Sequence, residues 1–184
     1  MDLLSNLIQL DQRLFILLNH TWANPLFDWL MPAITDLHKS PVFYICLLPV
    51  LIFWIKKQGR LAIKCLLALA LAVSLSDIIA YRVIKTHIQR PRPPEAGISV
   101  DLRTPVYAGF SFPSNHAANM FAAAQILTLA YPPIGIPFYI LAALIAFSRI
   151  YVGVHFPLDV LGGAILGISI STIVWLLLRR WVKS

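Results

Sequence analysis

Apolar residues fall in long blocks separated by short polar breaks. Residues 3–18 set Leu3, Leu4, Leu7, Ile8, Leu10, Leu14, Phe15 and Leu18 at helical spacing, with Asp2, Asn6, Gln9, Gln12 and Arg13 on the other side. That pattern predicts an amphipathic helix lying in a membrane interface. Further blocks follow at 24–38, 41–55, 61–84, 116–131, 134–150 and 157–181. Each is read as a membrane helix, although 24–38 is short and holds Asp28 and Asp36, which are unfavourable in lipid. Pro25 and Pro157 suit first helical turns, and Tyr131-Pro132-Pro133 predicts a tight turn. The expected fold class is all-α: a polytopic membrane bundle of about six transmembrane helices preceded by the interfacial helix, in one domain over 1–184.

Within these blocks a few residues break the apolar pattern. Gly163 and Gly167 have the spacing of a small-residue packing face, and Asp159 lies on the same stripe, so that face of the last helix points into the bundle. Asp77 lies inside 61–84 and is expected to face the bundle and a cationic partner, either as a structural ion pair or in support of the site. Cys46 and Cys65 both fall inside blocks and read as buried small apolar residues. His20 and His38, at the edges of 24–38, read as solvated loop residues.

Composition agrees with a membrane protein. Hydrophobic residues make up 59% and charged ones 12%, against about 45–50% and 25% in soluble domains. The net charge of +7 would suggest nucleic acid in a soluble chain. Here the cations flank apolar blocks, so the bilayer and an anionic lipid are the expected partners, and nucleic acid is not. The first residues carry Asp2 and no basic stretch, so no cleaved leader is expected. Lys56, Lys57, Arg60, Lys64, Arg179, Arg180 and Lys183 fall on one side of the bundle. The positive-inside rule then places both termini in the cytoplasm and the polar 85–115 stretch outside.

Helix direction brings the chemistry together. The 61–84 helix ends at Lys85, the 116–131 helix begins after Ser114, the 134–150 helix ends at Arg149, and the last helix begins near Pro157. Lys85, Arg92, Ser114, His116, Arg149, His155 and Asp159 therefore converge on one membrane face. Lys85, Arg92 and Arg149 form a cationic pocket suited to phosphate oxygens. Ser114 reads as an N-cap, and the N–H groups of the helix it opens favour an anion. Two histidines suit phosphoryl transfer with a covalent step: one nitrogen attacks phosphorus, its ring partner donates to Asp159, and the other histidine protonates the leaving oxygen. There is no His-Glu-x-x-His and no cysteine pair at ligand spacing, so neither metal nor other cofactor is expected.

Three motifs in order resemble a known family. Lys85-Thr86-His87-Ile88-Gln89-Arg90-Pro91-Arg92-Pro93 fits the K-x6-R-P motif of the type-2 phosphatidic acid phosphatase superfamily. Pro113-Ser114-Asn115-His116 resembles its P-S-G-H, and the stretch from Ser148-Arg149 through His155 to Asp159 its S-R-x5-H-x3-D. The resemblance covers roughly 60–181. It implies that His155 is the nucleophile and becomes phosphohistidine, that Asp159 orients it, and that His116 is the general acid. It also implies that Lys85, Arg92, Ser114, Arg149 and a backbone N–H near Asn115 bind phosphoryl oxygens.

The departure is Asn115 in place of glycine, whose side chain is expected to narrow the pocket or meet the headgroup. Arg90, His87 and Arg103 lie outside the motifs and are expected to be solvated or to face the headgroup. The function this implies is a metal-independent lipid phosphatase of a bacterial cytoplasmic membrane, with its site on the outer face. Undecaprenyl pyrophosphate and the 1-phosphate of lipid A rank first, on the extra cations Arg90 and Arg103. Phosphatidylglycerol phosphate and phosphatidic acid follow. A lipid-to-lipid phosphotransferase and a non-catalytic phospholipid carrier remain as alternatives.

Overall fold

Each apolar block becomes a helix, and the ends of the helices follow from local sequence. The computed structural model describes residues 3–106 and 108–183; Asp2, assigned above to the polar side of the first helix, lies outside them. Among the described residues the helices are α1 (Leu3–Ile16), α2 (Pro25–Thr35), α3 (Pro41–Gln58), α4 (Arg60–Ile78), α5 (Asn115–Ala130), α6 (Gly135–Tyr151) and α7 (Pro157–Lys183). Asn24 caps α2 by accepting the Phe27 N–H at 3.0 Å, and Pro25 takes the first helical position. Gly59, at φ 58°, separates α3 from α4. After Ile78, α4 widens into a π turn (Ile79–Ile84) and a last α turn (Lys85–Ile88). Gln89, at φ 51°, then reverses the chain, with its N–H on the Lys85 carbonyl at 3.0 Å.

Four of these helices are long and apolar enough to cross a membrane. Stretches within α3, α4, α6 and α7 reach mean hydropathies of 1.4, 2.1, 1.7 and 2.2. Two blocks read above as spans are shorter, α2 at 11 residues and α5 at 16. Sixteen residues rise only about 24 Å. α5 is the central helix, held between α4, α6 and α7, so its polar residues meet protein rather than lipid. Gln125 of α5 donates to Thr172 of α7 at 2.9 Å and accepts from Tyr139 of α6.

Small residues set the tightest contact. Ala117, Ala118 and Ala122 of α5 are fully buried against α7. A Cβ on Gly163 would stand 2.4 Å from the Ser114 carbonyl oxygen, and one on Gly167 2.1 Å from that of Ala118. The glycine spacing thus does what it predicts: it lets two backbones touch.

Two expectations change. Asp77 faces the bundle, but its partners are amides: Asn115 and Asn119 donate to its Oδ1 at 2.8 and 3.1 Å. Cys65 is buried, whereas Cys46 is exposed, because none of the residues of the outer helix α3 is buried. α1 keeps Leu3, Leu4, Leu7, Leu10 and Leu14 outward and buries Asp11 and Phe15. The Phe15 ring packs on Phe156 at 5.3 Å.

Substituting Gly167→Ala should lower stability by about 1–3 kcal/mol, because the new methyl must push α5 and α7 apart. The thermal midpoint of detergent-purified protein should fall. An unchanged midpoint would show that the two helices are not held this closely.

Candidate active site

The site is built where four helix ends meet. α4 delivers Lys85 at its last turn, and the reversal at Gln89 returns the chain so that Arg92 points inward. Lys85 Nζ donates to the carbonyls of Phe110 and Ser111 at 2.7 and 3.3 Å. Arg92 donates to the carbonyls of Gly109 and Val154 at 2.9 and 3.0 Å. These carbonyl partners fix the two cations without neutralising their charge. α6 delivers Arg149, which is buried and donates to Thr35 Oγ1 of α2 at 2.7 Å. The five-residue link to α7 carries His155, and the first turn of α7 carries Asp159.

Lys85, Arg92, Asn115, His116, Arg149 and His155 all line one cavity of about 190 Å³. Within it His155 is oriented by both ring nitrogens. Nε2 lies 3.3 Å from an Arg92 guanidinium nitrogen, so it faces the cations. Nδ1 lies 3.6 Å from Asp159 Oδ2 and 3.4 Å from Ser111 Oγ. Burial pushes the His155 ring down to about 4, against the pull of its contact with Asp159, while Arg92 and Arg149 act in the same direction as burial. The ring is therefore neutral at pH 7, with Nε2 turned toward Arg92 and the cavity.

Asp159 is fully buried, and both its oxygens are occupied. Oδ2 accepts the Ser111 hydroxyl at 2.5 Å and the Phe156 N–H at 2.8 Å. Oδ1 accepts Arg90 at 2.7 Å.

Ser114 does not cap its helix through its side chain. Among the described residues its buried Oγ has no hydrogen-bond partner, and its N–H donates to the Asp159 carbonyl at 2.9 Å. An orphaned hydroxyl at the mouth of a helix, beside a cation pocket, fits a phosphoryl oxygen better than a structural cap. Asn115 gives its side chain to Asp77. That contact, rather than a headgroup, accounts for the amide at this position, and the residue still borders the cavity.

Arg90 and Arg103 are not headgroup cations. Arg90 bridges Asp159 and Asp11, and Arg103 pairs with Asp28 at 2.6 Å and stacks on Tyr151. His87 is exposed and sits 2.6 Å from the Val83 carbonyl oxygen. Sequence reasoning missed Ser111, Thr35 and Asp11. Each touches the site only through a contact far away in the chain, so no local spacing announces it. His38, read as a solvated loop residue, is exposed but has its ring 5.7 Å from that of His116.

Known proteins show the same arrangement of chain. The chain resembles decaprenylphosphoryl-5-phosphoribose phosphatase of Mycobacterium tuberculosis, 40% identical over 93 residues that make up 50% of each protein. The chain thus spans about half the length of that curated relative. Among solved structures, Aquifex aeolicus LpxE superposes with a TM-score of 0.69 at 33% identity, over 90% of this chain and 94% of that one. The transmembrane PAP2-type phosphatidylglycerolphosphate phosphatase of Bacillus subtilis superposes with a TM-score of 0.63 at 25% identity, over 95% of this chain and 87% of that one. The PAP2 superfamily model matches residues 39–183, which include all three motifs and every helix that shapes the cavity, and the chain is a multi-pass membrane protein of that superfamily.

Proposed function

We propose that this protein is a metal-independent membrane lipid phosphatase working through a phosphohistidine on His155. The observation that carries the reading is the orientation of that ring, with Nε2 toward the cations and Nδ1 toward Asp159. Lys85, Arg92, Arg149, the Ser114 hydroxyl and the first N–H groups of α5 hold the phosphoryl oxygens. Nε2 attacks phosphorus, an N–P bond forms, and the bond to the leaving oxygen breaks while His116 protonates that oxygen. Asp159 stabilises the cationic ring that results. Water then attacks the phosphohistidine, giving up a proton to His116, and inorganic phosphate leaves. The three cations supply the charge stabilisation that a loose phosphoryl transition state needs.

A lipid substrate is supported by the surroundings of the site. His116 also borders a second cavity of about 340 Å³, lined chiefly by apolar side chains such as Ile34, Leu37, Phe43, Met120 and Leu141. A phosphate in the cationic cavity would leave its hydrocarbon chain beside that apolar one. Arg90 and Arg103 are engaged by carboxylates, so neither favours the most densely charged headgroups. Undecaprenyl pyrophosphate, lipid A 1-phosphate, phosphatidylglycerol phosphate and phosphatidic acid stand as one class, a phosphate or pyrophosphate on a membrane lipid.

In the same reading, the central α5 and the short α2, packed on α6, complete the bundle as crossings, giving six, and α1 lies in the interface. Lys56, Lys57, Arg60, Arg179 and Arg180 are exposed at the end of the bundle away from the site. Both termini then face the cytoplasm and the site faces outward.

Detergent-purified protein should release phosphate from lipids of this class in excess EDTA, and His155→Ala should reduce that rate about a thousandfold or more. Metal-dependent release, or release that survives in His155→Ala, would overturn the reading. Arg92→Lys should lower kcat/KM about tenfold or more despite the kept charge, since one hydrogen bond to a charged group is lost with the fork. A normal rate in that variant would assign Arg92 to the loop alone.

A further inference from the structure

Arg90 does not line the pocket, yet it holds the carboxylate behind the nucleophile. One nitrogen of its guanidinium donates to Asp159 Oδ1 at 2.7 Å and the other to Asp11 Oδ2 at 2.5 Å. Its plane stands 4.2 Å over the ring of Phe156, the neighbour of His155. Asp11 belongs to α1, and its side chain is only 1% exposed. Its other oxygen accepts the Leu158 N–H at 2.8 Å, in the first turn of α7. A carboxylate buried this deeply on an otherwise amphipathic helix needs a partner. Its partners here are the cation and the helix start that hold the catalytic carboxylate.

We propose that Arg90 is a positioning residue that, anchored by Asp11 of α1, locks the Asp159 carboxylate in the plane from which it orients His155. Ser111 and the Phe156 N–H occupy one oxygen of Asp159 and Arg90 the other, so the carboxylate cannot rotate. The two-armed guanidinium suits this task, because each of its end nitrogens serves one carboxylate in a fixed plane, a geometry an ammonium does not impose. The helix whose apolar side chains point outward is thereby tied to the reacting centre by two ionic contacts. This inference rests on the reading of His155 as nucleophile with Asp159 behind it.

Charge provides the test. Around the His155 ring stand Asp159 of α7, Arg92 of the preceding loop, Arg149 of α6 and His116 of α5, with Lys85 of α4 across the cavity and the Arg90–Asp11 pair behind Asp159. Removing the Arg90 charge leaves a more negative surrounding, so the ring keeps its proton to higher pH. Removing the Asp11 charge does the reverse.

The experiment is the pH dependence of kcat/KM for lipid phosphate hydrolysis by wild type, Arg90→Gln, Arg90→Lys and Asp11→Asn, with Asp159→Asn in parallel. In Arg90→Gln the acid limb should move up by about one pH unit. At neutral pH kcat should fall about tenfold, with KM changed by less than about threefold. Arg90→Lys should fall between wild type and Arg90→Gln, and Asp11→Asn should move the acid limb down. Opposite shifts at one cluster are not what a general loosening of the fold produces. Wild-type turnover and an unmoved limb in Arg90→Gln would overturn the proposal. If that variant does not fold, Arg90→Lys decides, and wild-type kcat there overturns it equally. Should Asp159→Asn itself keep full turnover, the underlying reading of the site fails instead.

Discussion

The Ser114 N–H rests on the Asp159 carbonyl oxygen at 2.9 Å, and this contact determines the rest of the site. It brings the first turn of α5 against the first turn of α7. Gly163 makes it possible, since any side chain there would strike the Ser114 carbonyl. Two helix starts then meet at one place; that of α5 favours negative charge there, while in α7 the Leu158 N–H is held by Asp11. His116 comes with one helix and Asp159 with the other. The end of α4 adds Lys85 and the end of α6 adds Arg149. Backbone proximity, set by glycine and alanine, thus organises a site whose chemistry is done by charged and polar side chains.

The charges divide by partner. Arg90 and Arg103 face carboxylates from α1, α2 and α7 and help hold the loops in place. Lys85 and Arg92 meet backbone carbonyls, and Arg149 meets a threonine hydroxyl. Carbonyls and hydroxyls orient a cation but leave its charge in place. The pocket can therefore keep a positive field toward an incoming phosphate.

Much of this was legible in the sequence. Lys85, Ser114, His116, Arg149, His155 and Asp159 stand at helix ends, and helix direction alone sends those ends to one face. The glycine stripe with Asp159 on it was equally readable, because helical spacing is a local property. What escaped were partners rather than positions. Arg90 looks like a loop cation until Asp11, 79 residues away, is brought beside it. Asp77 looked like half of an ion pair because an intramembrane carboxylate calls for compensation, and two asparagine amides meet that need. Ser114 has the residue type and place of a cap, yet the hydroxyl of an N-cap is free to serve something else when the backbone N–H groups are to be offered to a ligand. Cys46 followed the general rule for cysteine and lost to the position of α3 on the outside of the bundle.

The proposed reaction places a covalent phosphoryl group on Nε2 of His155. Rapid acid-free quenching of the protein after mixing with a lipid labelled in its terminal phosphate tests it most directly, followed by peptide mapping. The expected result is a transient label that is acid-labile, stable to base and confined to His155. A label on any other residue, or turnover with no covalent label under conditions that trap a known phosphohistidine, would contradict it.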